Sequence, residues 1–211
     1  MTDERFFELC KYERQLAAEG YSLIAGIDEA GRGPLAGPVA AACVIFKSEG
    51  PFVKGADDSK KLSEKRRESL FEEIKEKSFA YGISLVDNHR IDEINILQAT
   101  YQAMRKALEE AIKMADNKMP GILLVDHVHI PQVEIPQISI THGDAQSVSI
   151  ASASILAKVS RDRLMKQFDE EFPQYGFAKH KGYGTKAHYE AIAQYGPSEI
   201  HRMTFLKKLY S

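Results

Sequence analysis

Residues 122–125 form an uninterrupted apolar run, Ile-Leu-Leu-Val, that ends abruptly at Asp126. Such a run is typical of a strand buried on both faces, because a strand with one face in water alternates apolar and polar residues. Strands of this kind belong to α/β sheets covered by helices. The run therefore predicts an α/β fold with a central strand that ends in a carboxylate at the edge of the sheet.

The rest of the chain supplies the other elements of such a fold. Residues 22–28 and 37–47 are β-rich runs on either side of a turn dense in Gly and Pro, and they predict a hairpin. Residues 79–86 and 135–140 predict two further strands. Apolar residues at three- and four-residue spacing, with capping residues and Pro173 as a stop, predict helices over residues 63–77, 91–114, 147–172, 185–195 and 198–209.

Length and composition limit the class of protein. A chain of 211 residues, 44% hydrophobic and 27% charged, is long enough for one compact body. No apolar run approaches the ~18–20 residues needed to span a bilayer, and the charged N-terminus is unlike a secretory signal, so we expect a cytoplasmic protein. Residues 1–150 hold 18 Lys and Arg against 24 Asp and Glu, whereas residues 151–211 hold 10 against 6. Phosphate contacts are therefore expected in the C-terminal part.

Four acidic residues stand where a predicted strand or loop ends: Asp28, Glu29, Asp126 and Asp144. The ends of neighbouring strands converge at one edge of a sheet, where open sheets bind ligands. Carboxylates are costly to place beside apolar strands without a compensating cation. Because successive side chains of a strand face opposite sides, we expect the strand to end between Asp28 and Glu29 so that both reach one site.

The type of ligand predicts the cation and the chemistry. Oxygen ligands without a nearby Cys suit Mg²⁺ or Mn²⁺, and two such ions can flank a phosphodiester and activate water for in-line attack. The acids therefore predict metal-dependent hydrolysis of a phosphodiester. Zinc is disfavoured, because His127 and His129 have no third His or Cys at a recognisable spacing.

Residues 31–36 also fit the dinucleotide fingerprint G-x-G-x-x-G/A, with Glu49 as the ribose partner. That fingerprint must open a helix whose N-terminus holds a pyrophosphate. Pro34 and Pro38 oppose a helix here, and the acids that precede the turn would repel phosphates. The dinucleotide interpretation is therefore disfavoured.

Residues 26–39, reading GIDEAGRGPLAGPV, resemble the signature of type 2 ribonuclease H, ribonuclease HII. Further blocks resemble those of the family in the same order: DSKKLS at 58–63, VD at 125–126, GDAQS at 143–147, SILAKV at 154–159 with RD at 161–162, and KHKGYG at 179–184. The resemblance covers roughly residues 11–205. Six ordered blocks are far more specific than any single motif.

The resemblance implies a ribonuclease H-like mixed sheet flanked by helices over residues 1–172, with a small C-terminal part, residues 173–211, whose loop and helices complete the substrate cleft. It implies an endonuclease that hydrolyses the RNA strand of RNA–DNA hybrids and cuts on the 5′ side of single ribonucleotides in duplex DNA. Two Mn²⁺ or Mg²⁺ ions take part, and the products carry 5′-phosphates. We expect a monomer, with RNA–DNA hybrid and ribonucleotide-containing DNA as its partners.

Site residues are carried over where positions match. The metal-binding and catalytic acids are Asp28, Glu29, Asp126 and Asp144. The element that senses the ribose 2′-hydroxyl corresponds to Gly31, Arg32 and Gly33, and Tyr183 matches the tyrosine that stacks at the RNA–DNA junction. Basic residues in the matching blocks are candidates for phosphate contacts: Lys60, Lys158, Arg161, Lys179 and Lys181.

Two features depart from the family's pattern. His142 stands where the family commonly has a lysine, which leaves a phosphate contact there in doubt. The start of the chain resembles members with a longer N-terminal extension, so a naturally short member or a shortened form is expected. Two other functions stay open: type 3 ribonuclease H, which the sequence at 31–33 argues against, and a non-catalytic hybrid-binding module, which the four carboxylates argue against.

Overall fold

A computed structural model describes residues 1–207 and contains a five-stranded mixed sheet. The strands lie in the order β3-β2-β1-β4-β5. Their bounds are Leu23–Ala30 (β1), Val39–Lys47 (β2), Ala80–Val86 (β3), Ile122–Asp126 (β4) and Gln137–Ile140 (β5). Residues 122–125 are buried within this sheet, as predicted, and the α/β class is confirmed.

The register of β1 leaves a notch in the edge of the sheet. β1 and β2 form the predicted hairpin, and their antiparallel pairing runs the whole length of β1, to Ala30 opposite Ala40. The parallel pairing of β1 with β4 stops earlier, at Ile27 opposite Val125. The last part of β1 is therefore supported by β2 on one side and open on the other.

Helices cover both faces of the sheet. Their bounds are Asp3–Leu9 (α1), Lys11–Ala18 (α2), Glu64–Lys77 (α3), Asn88–Met114 (α4), Val148–Glu171 (α5), Phe177–His180 (α6), Lys186–Tyr195 (α7) and Met203–Leu206 (α8), with short 3-10 turns at Gly143–Ala145 and Pro173–Tyr175. Within residues 1–207, none of these helices has the length and apolarity that a membrane crossing requires.

The two long helices enclose the sheet between them. α4 packs against β3 and β2, and α5 packs against β1 and β2. Ala25 and Ile27 belong to the core shared with α4, whereas Ile24 packs with Ile150 of α5. A Cβ at Gly26 would lie 2.1 Å from the backbone of Ser149, so glycine is required where α5 lies directly on β1.

Most predicted helices are confirmed to within a residue or two, but α4 differs in two ways. It starts at Asn88, before the predicted residue 91, because the Asp87 side chain accepts a hydrogen bond from the N–H of Arg90 and caps it. It also breaks at Asn95, where φ is 67°. The Asn95 side chain accepts a hydrogen bond from the N–H of Leu97, which restarts the helix.

Two predictions for the C-terminal part were wrong. Residues 173–184, which lie between two predicted helices and were not expected to be helical, contain the second 3-10 turn and α6. In the predicted helix 198–209, residues 198–202 are not helical, because His201 forms an isolated bridge with Ala36 and Arg202 is fully buried. Residues 208 and 209 of that predicted helix lie outside the described residues.

Candidate active site

Asp28 and Glu29 lie on the part of β1 that extends past β4. The expectation that the strand ends between them is wrong, since both remain paired with β2. They share one site because β4 ends beside them at Asp126 and leaves that edge of β1 open. The Oδ1 of Asp28 accepts a hydrogen bond of 2.7 Å from the backbone N–H of Glu29, which holds the aspartate against its neighbour.

Asp126 and Asp144 approach this pair from the other side of the notch. The Oδ1 of Asp126 accepts a hydrogen bond of 2.6 Å from the N–H of Gly143. This bond ties the end of β4 to the 3-10 turn whose middle residue is Asp144. Lys60 lies within electrostatic reach of Asp28, Asp126 and Asp144 together. The structure thus gathers the predicted acids from three separate segments around one place.

Burial and mutual repulsion act on these carboxylates together. Burial raises the pKa of Asp28 well above its usual value, and the neighbouring carboxylates raise it further. Burial also raises the pKa of Glu29, against the opposing attraction of Arg32. For Asp144, burial and then the charge of Asp58 raise the pKa. Each carboxylate in its ionised form would be stabilised by a positive charge placed among them.

The donors fit a hard divalent cation by their chemistry. The Oε2 of Glu29 is buried and has no hydrogen-bond partner within residues 1–207, so one carboxylate oxygen is left for a ligand. Oxygen donors of this type are those that Mg²⁺ and Mn²⁺ prefer. In the described part of the chain, no three acidic, His or Cys side chains are arranged to enclose an ion. His127 and His129 likewise gain no support as zinc ligands.

Arg202 is fully buried and anchors the glycine-rich turn after β1. Its guanidinium donates hydrogen bonds to the carbonyls of Gly31 at 2.6 Å and Arg32 at 2.9 Å. Two further bonds reach Gly37 at 2.9 Å and Pro38 at 3.0 Å. Burial lowers the pKa of Arg202 to about 9, which still leaves it charged at neutral pH. Through these four bonds, Arg202 holds the turn against the start of β2.

Arg161 is a second internal anchor, and its position does not support the predicted phosphate contact. The residue is 1% exposed, and its guanidinium donates to the carbonyls of Pro38, Ala36 and Lys181 at 2.8, 3.0 and 2.9 Å. Gly31 is required beside it, because its φ is +91° and a Cβ there would lie 2.0 Å from the Nε of Arg161. Arg161 therefore joins the turn after β1 to the segment that precedes Tyr183.

Three of the acids (Asp28, Glu29 and Asp126), the turn and Tyr183 line one cavity of about 220 Å³, and Asp144 is not among its lining residues. Tyr183 is 45% exposed, and its Cε1 lies 3.8 Å from the position that a Cβ of Gly33 would take. Its carbonyl is hydrogen-bonded to the Nδ1 of His188 at 2.9 Å. Nine predicted site residues line this cavity: Asp28, Glu29, Gly31, Arg32, Gly33, Lys60, Asp126, Lys158 and Tyr183.

The predicted lysines divide into two pairs. Lys60 and Lys158 line the cavity. Burial opposes the charge of Lys60, but the attraction of the surrounding carboxylates outweighs it and raises the pKa of this lysine. Lys179 and Lys181 do not line the cavity. Lys179 is exposed on α6, and Lys181 is turned inward, where its ammonium donates to the carbonyl of Ala178, so the predicted phosphate contact of Lys181 is not supported.

Sequence reasoning gave no role to several residues that shape the site. The hydroxyls of Ser59 and Ser154 lie 2.9 Å apart beside the acids, and the Ser154 hydroxyl donates to the Asp28 carboxylate. Both serines lie in blocks that resemble the family's, DSKKLS and SILAKV, which could have pointed to them. Arg202 had no such signal, because its partners are backbone carbonyls.

A mixed sheet with helices on both faces and carboxylates at its open edge defines a nuclease of the ribonuclease H class. A sequence model of the family described as Ribonuclease HII matches residues 25–208. The chain belongs to the ribonuclease HII family and is a ribonuclease H endonuclease. The predicted family, fold class and activity are confirmed.

Known proteins support this assignment at two levels. Ribonuclease HII of Clostridioides difficile (strain 630) is 54% identical over 207 residues, which cover 98% of this chain and 79% of that protein. The crystal structure of ribonuclease H2 from Pyrococcus horikoshii OT3 is 26% identical, with a TM-score of 0.69 over 86% of this chain and 93% of that one. Bst-RNase HIII in complex with Mn²⁺ is 18% identical, with a TM-score of 0.63 over 87% and 66% of the two chains, and shows likeness of fold alone.

Proposed function

We propose that the cavity beside Asp28 cleaves the RNA strand of RNA–DNA hybrids and cuts on the 5′ side of single ribonucleotides in duplex DNA. The observation that carries this proposal is the meeting of Asp28, Glu29 and Asp126, the turn at residues 31–33 and Tyr183 in one cavity. The acids would bind the cations that catalyse hydrolysis of the phosphodiester. The turn and the tyrosine provide recognition of the sugar next to it.

The proposed catalytic and metal-binding residues are Asp28, Glu29, Asp126 and Asp144. Two Mn²⁺ or Mg²⁺ ions held by them would activate a water for in-line attack and stabilise the leaving 3′ oxygen. The raised pKa values of Asp28 and Glu29 support this assignment, because a cation relieves the crowding of like charges in a buried place. The unpartnered Oε2 of Glu29 supports it independently.

Gly31, Arg32 and Gly33 are the proposed ribose sensor. The 2′-hydroxyl is the group that distinguishes RNA from DNA at a given position. Arg202 draws the carbonyls of Gly31 and Arg32 inward, so the turn presents its other side to the cavity, where glycine lets a sugar approach the backbone closely. The ring of Tyr183 lies opposite Gly33 and provides a sequence-independent surface for the junction.

Lys60 and Lys158 are the proposed phosphate contacts within the cavity, and the exposed Lys179 is a contact for more distant phosphates. Lysine binds phosphate through charge rather than through a fixed geometry, so these contacts would add affinity without base specificity. Residues 173–211 are proposed to complete the substrate cleft of the domain at residues 1–172. The position of Tyr183 opposite Gly33 supports that division.

We also propose that the protein acts as a monomer in the cytoplasm on hybrid and ribonucleotide-containing DNA. Cys10 and Cys43 are both buried and unpaired, which agrees with a reducing compartment.

The deciding experiment uses a DNA duplex with one ribonucleotide, an RNA–DNA hybrid and an all-DNA duplex of the same sequence. Each is incubated with purified protein and Mn²⁺ or Mg²⁺, with and without EDTA. We expect a single cut on the 5′ side of the ribonucleotide, cuts throughout the RNA strand of the hybrid and none in the all-DNA duplex. EDTA should stop all cleavage.

Two outcomes would contradict the proposal. Cleavage of the hybrid without cleavage at the single ribonucleotide would indicate the specificity of a type 3 enzyme. Binding of the hybrid without cleavage under any metal condition would indicate a non-catalytic hybrid-binding module.

A further inference from the structure

The N-terminal helices α1 and α2 precede residues 25–208, the part that the ribonuclease HII model matches. They nevertheless contact the segment that carries Asp144. Two of their side chains, Arg5 and Glu13, are hydrogen-bonded to residues of the segment 145–149. These contacts connect a part of the chain without an assigned role to the candidate active site.

Glu13 is completely buried, where an ionised carboxylate is costly unless it is hydrogen-bonded. Its Oε1 accepts hydrogen bonds from the hydroxyl of Ser147 at 2.6 Å and from the N–H of Ser149 at 3.0 Å. The Ser147 hydroxyl in turn accepts from the N–H of Ile150 at 3.2 Å and caps α5. Glu13 therefore fixes both the cap and the first turn of α5 from outside that helix.

Arg5 holds the same segment at a second point. Its guanidinium donates to both carboxylate oxygens of Asp57, at 2.8 and 3.3 Å, and to the carbonyl of Ala145 at 2.8 Å. Asp57 belongs to the loop that carries Lys60, and Ala145 directly follows Asp144. Arg5 thus joins the Lys60 loop to the turn that carries Asp144.

We propose that Glu13 and Arg5 are positioning residues for the Asp144 carboxylate. Residues 143–149 are fixed at their start by Asp126, in the middle by Arg5 and at their end by Glu13. A short 3-10 turn has few bonds of its own, so its side chain keeps its place only while these anchors hold. The inference rests on the proposed role of Asp144 as a metal ligand, and it adds α1 and α2 to the machinery that prepares the site.

The test compares Glu13→Ala with Glu13→Gln in the full chain, using two measurements that need no turnover. Calorimetry measures Mn²⁺ binding to the free protein, and amide hydrogen exchange without metal reports the mobility of residues 143–149. We expect Glu13→Ala to weaken Mn²⁺ binding about tenfold or more, as loss of a partner behind a metal ligand does. It should also speed exchange of the Ser149 N–H, while Glu13→Gln, which keeps an acceptor oxygen, recovers most of both.

Arg5→Ala provides the same test from the other anchor. The Arg5 side chain is 38% exposed, so water weakens its ion pair and we expect a smaller loss of Mn²⁺ affinity, about threefold. This variant keeps the proposal testable if Glu13→Ala does not fold. In activity assays, both variants should raise the Mn²⁺ concentration for half-maximal rate more than they lower the rate at saturating Mn²⁺.

Met104→Ala is the matched control for lost stability. Met104 is fully buried in α4, and its core cluster contains no residue of 143–149, α1 or α2 among the described residues, so its truncation should lower the melting temperature and leave Mn²⁺ affinity unchanged. An equal loss of affinity in Met104→Ala, or wild-type affinity and exchange in Glu13→Ala, would overturn the inference. Wild-type Mn²⁺ binding by Asp144→Asn would instead refute the proposed function of the acid itself.

Discussion

The acids at the sheet edge and the two arginines that hold the turn after β1, Arg161 and Arg202, are buried charges in adjacent regions. Their partners differ. Arg202 and Arg161 donate seven hydrogen bonds to backbone carbonyls and are complete without any ligand. The acids repel one another, and Glu29 keeps an oxygen without a partner within residues 1–207. The arginines form a frame whose hydrogen bonds are all made within the protein, whereas the acids keep a repulsion that a bound cation would relieve. Four variants test that difference.

The largest effect on stability is expected from Arg202→Met. It leaves the carbonyls of Gly31, Arg32 and Gly37 without their donor, whereas Pro38 keeps the one from Arg161, and each unpaired buried group costs about 1–3 kcal/mol. The free energy of unfolding, measured by urea denaturation, should fall by about 4 kcal/mol or more. Arg163→Met is the control, because the Arg163 side chain is 44% exposed and its pairing with Glu68 should contribute less than about 1 kcal/mol. Equal losses of unfolding free energy in the two variants would contradict the structural role assigned to Arg202.

Asp126→Asn tests the other region and should affect activity rather than the fold. Asparagine keeps an oxygen that accepts the hydrogen bond from Gly143, so the turn stays in place while the charge is lost. Single-turnover cleavage should slow by about a hundredfold to a thousandfold, the scale on which loss of one charge-stabilising group acts. Hybrid binding, measured by fluorescence anisotropy, should change little. Near-normal turnover would show that Asp126 is not a metal ligand.

Tyr183→Ala tests the residue that connects the two regions. The carbonyl of Tyr183 is hydrogen-bonded to His188, and Arg161 of the frame donates to the carbonyl of Lys181, two residues before it. The Tyr183 ring lines the cavity. Stacking on an aromatic ring contributes about 1–3 kcal/mol, so cleavage at a single ribonucleotide should fall about tenfold further than cleavage of a long hybrid. Tyr183→Phe, which keeps the ring, should behave as wild type. Equal losses on both substrates would refute a junction-sensing role.

The sequence was sufficient to place Asp126, because a short apolar run that follows Pro and Gly and stops at an acid is typical of a buried strand that ends at the sheet edge. It located Asp28 and Glu29 but not their geometry. The notch between them and β4 depends on where the pairing with a distant strand stops, at Ile27 opposite Val125. The sequence of β1 does not show how far β4 extends alongside it.

The roles of Arg161 and Glu13 could not be predicted for a related reason. Arg161 bonds to backbone carbonyls, which every residue possesses, so no residue type elsewhere in the chain marks its partners. Glu13 contacts residues more than a hundred positions away, in Ser147 and Ser149. Charged residues on helices are usually solvated, and only the tertiary packing shows that these two are buried.

The smallest effect, and the sharpest test of the difference between the two regions, is expected from Asp28→Asn in metal-free protein. A carboxyl whose folded pKa is raised stabilises the fold below its usual pKa, and that contribution is lost as pH rises through the folded value. In EDTA, wild type should therefore lose stability as pH rises above about 4, and Asp28→Asn should lose less. Asparagine can still accept the hydrogen bond from the Glu29 N–H, so the substitution mainly removes the repulsion between carboxylates. Each kcal/mol of repulsion relieved should raise the melting temperature of Asp28→Asn by about 2–4 °C. Mn²⁺ should reverse the order, since it stabilises wild type and not the variant. A variant that melts no higher than wild type in EDTA at neutral pH would show that the acid site is as complete without a cation as the arginine frame is.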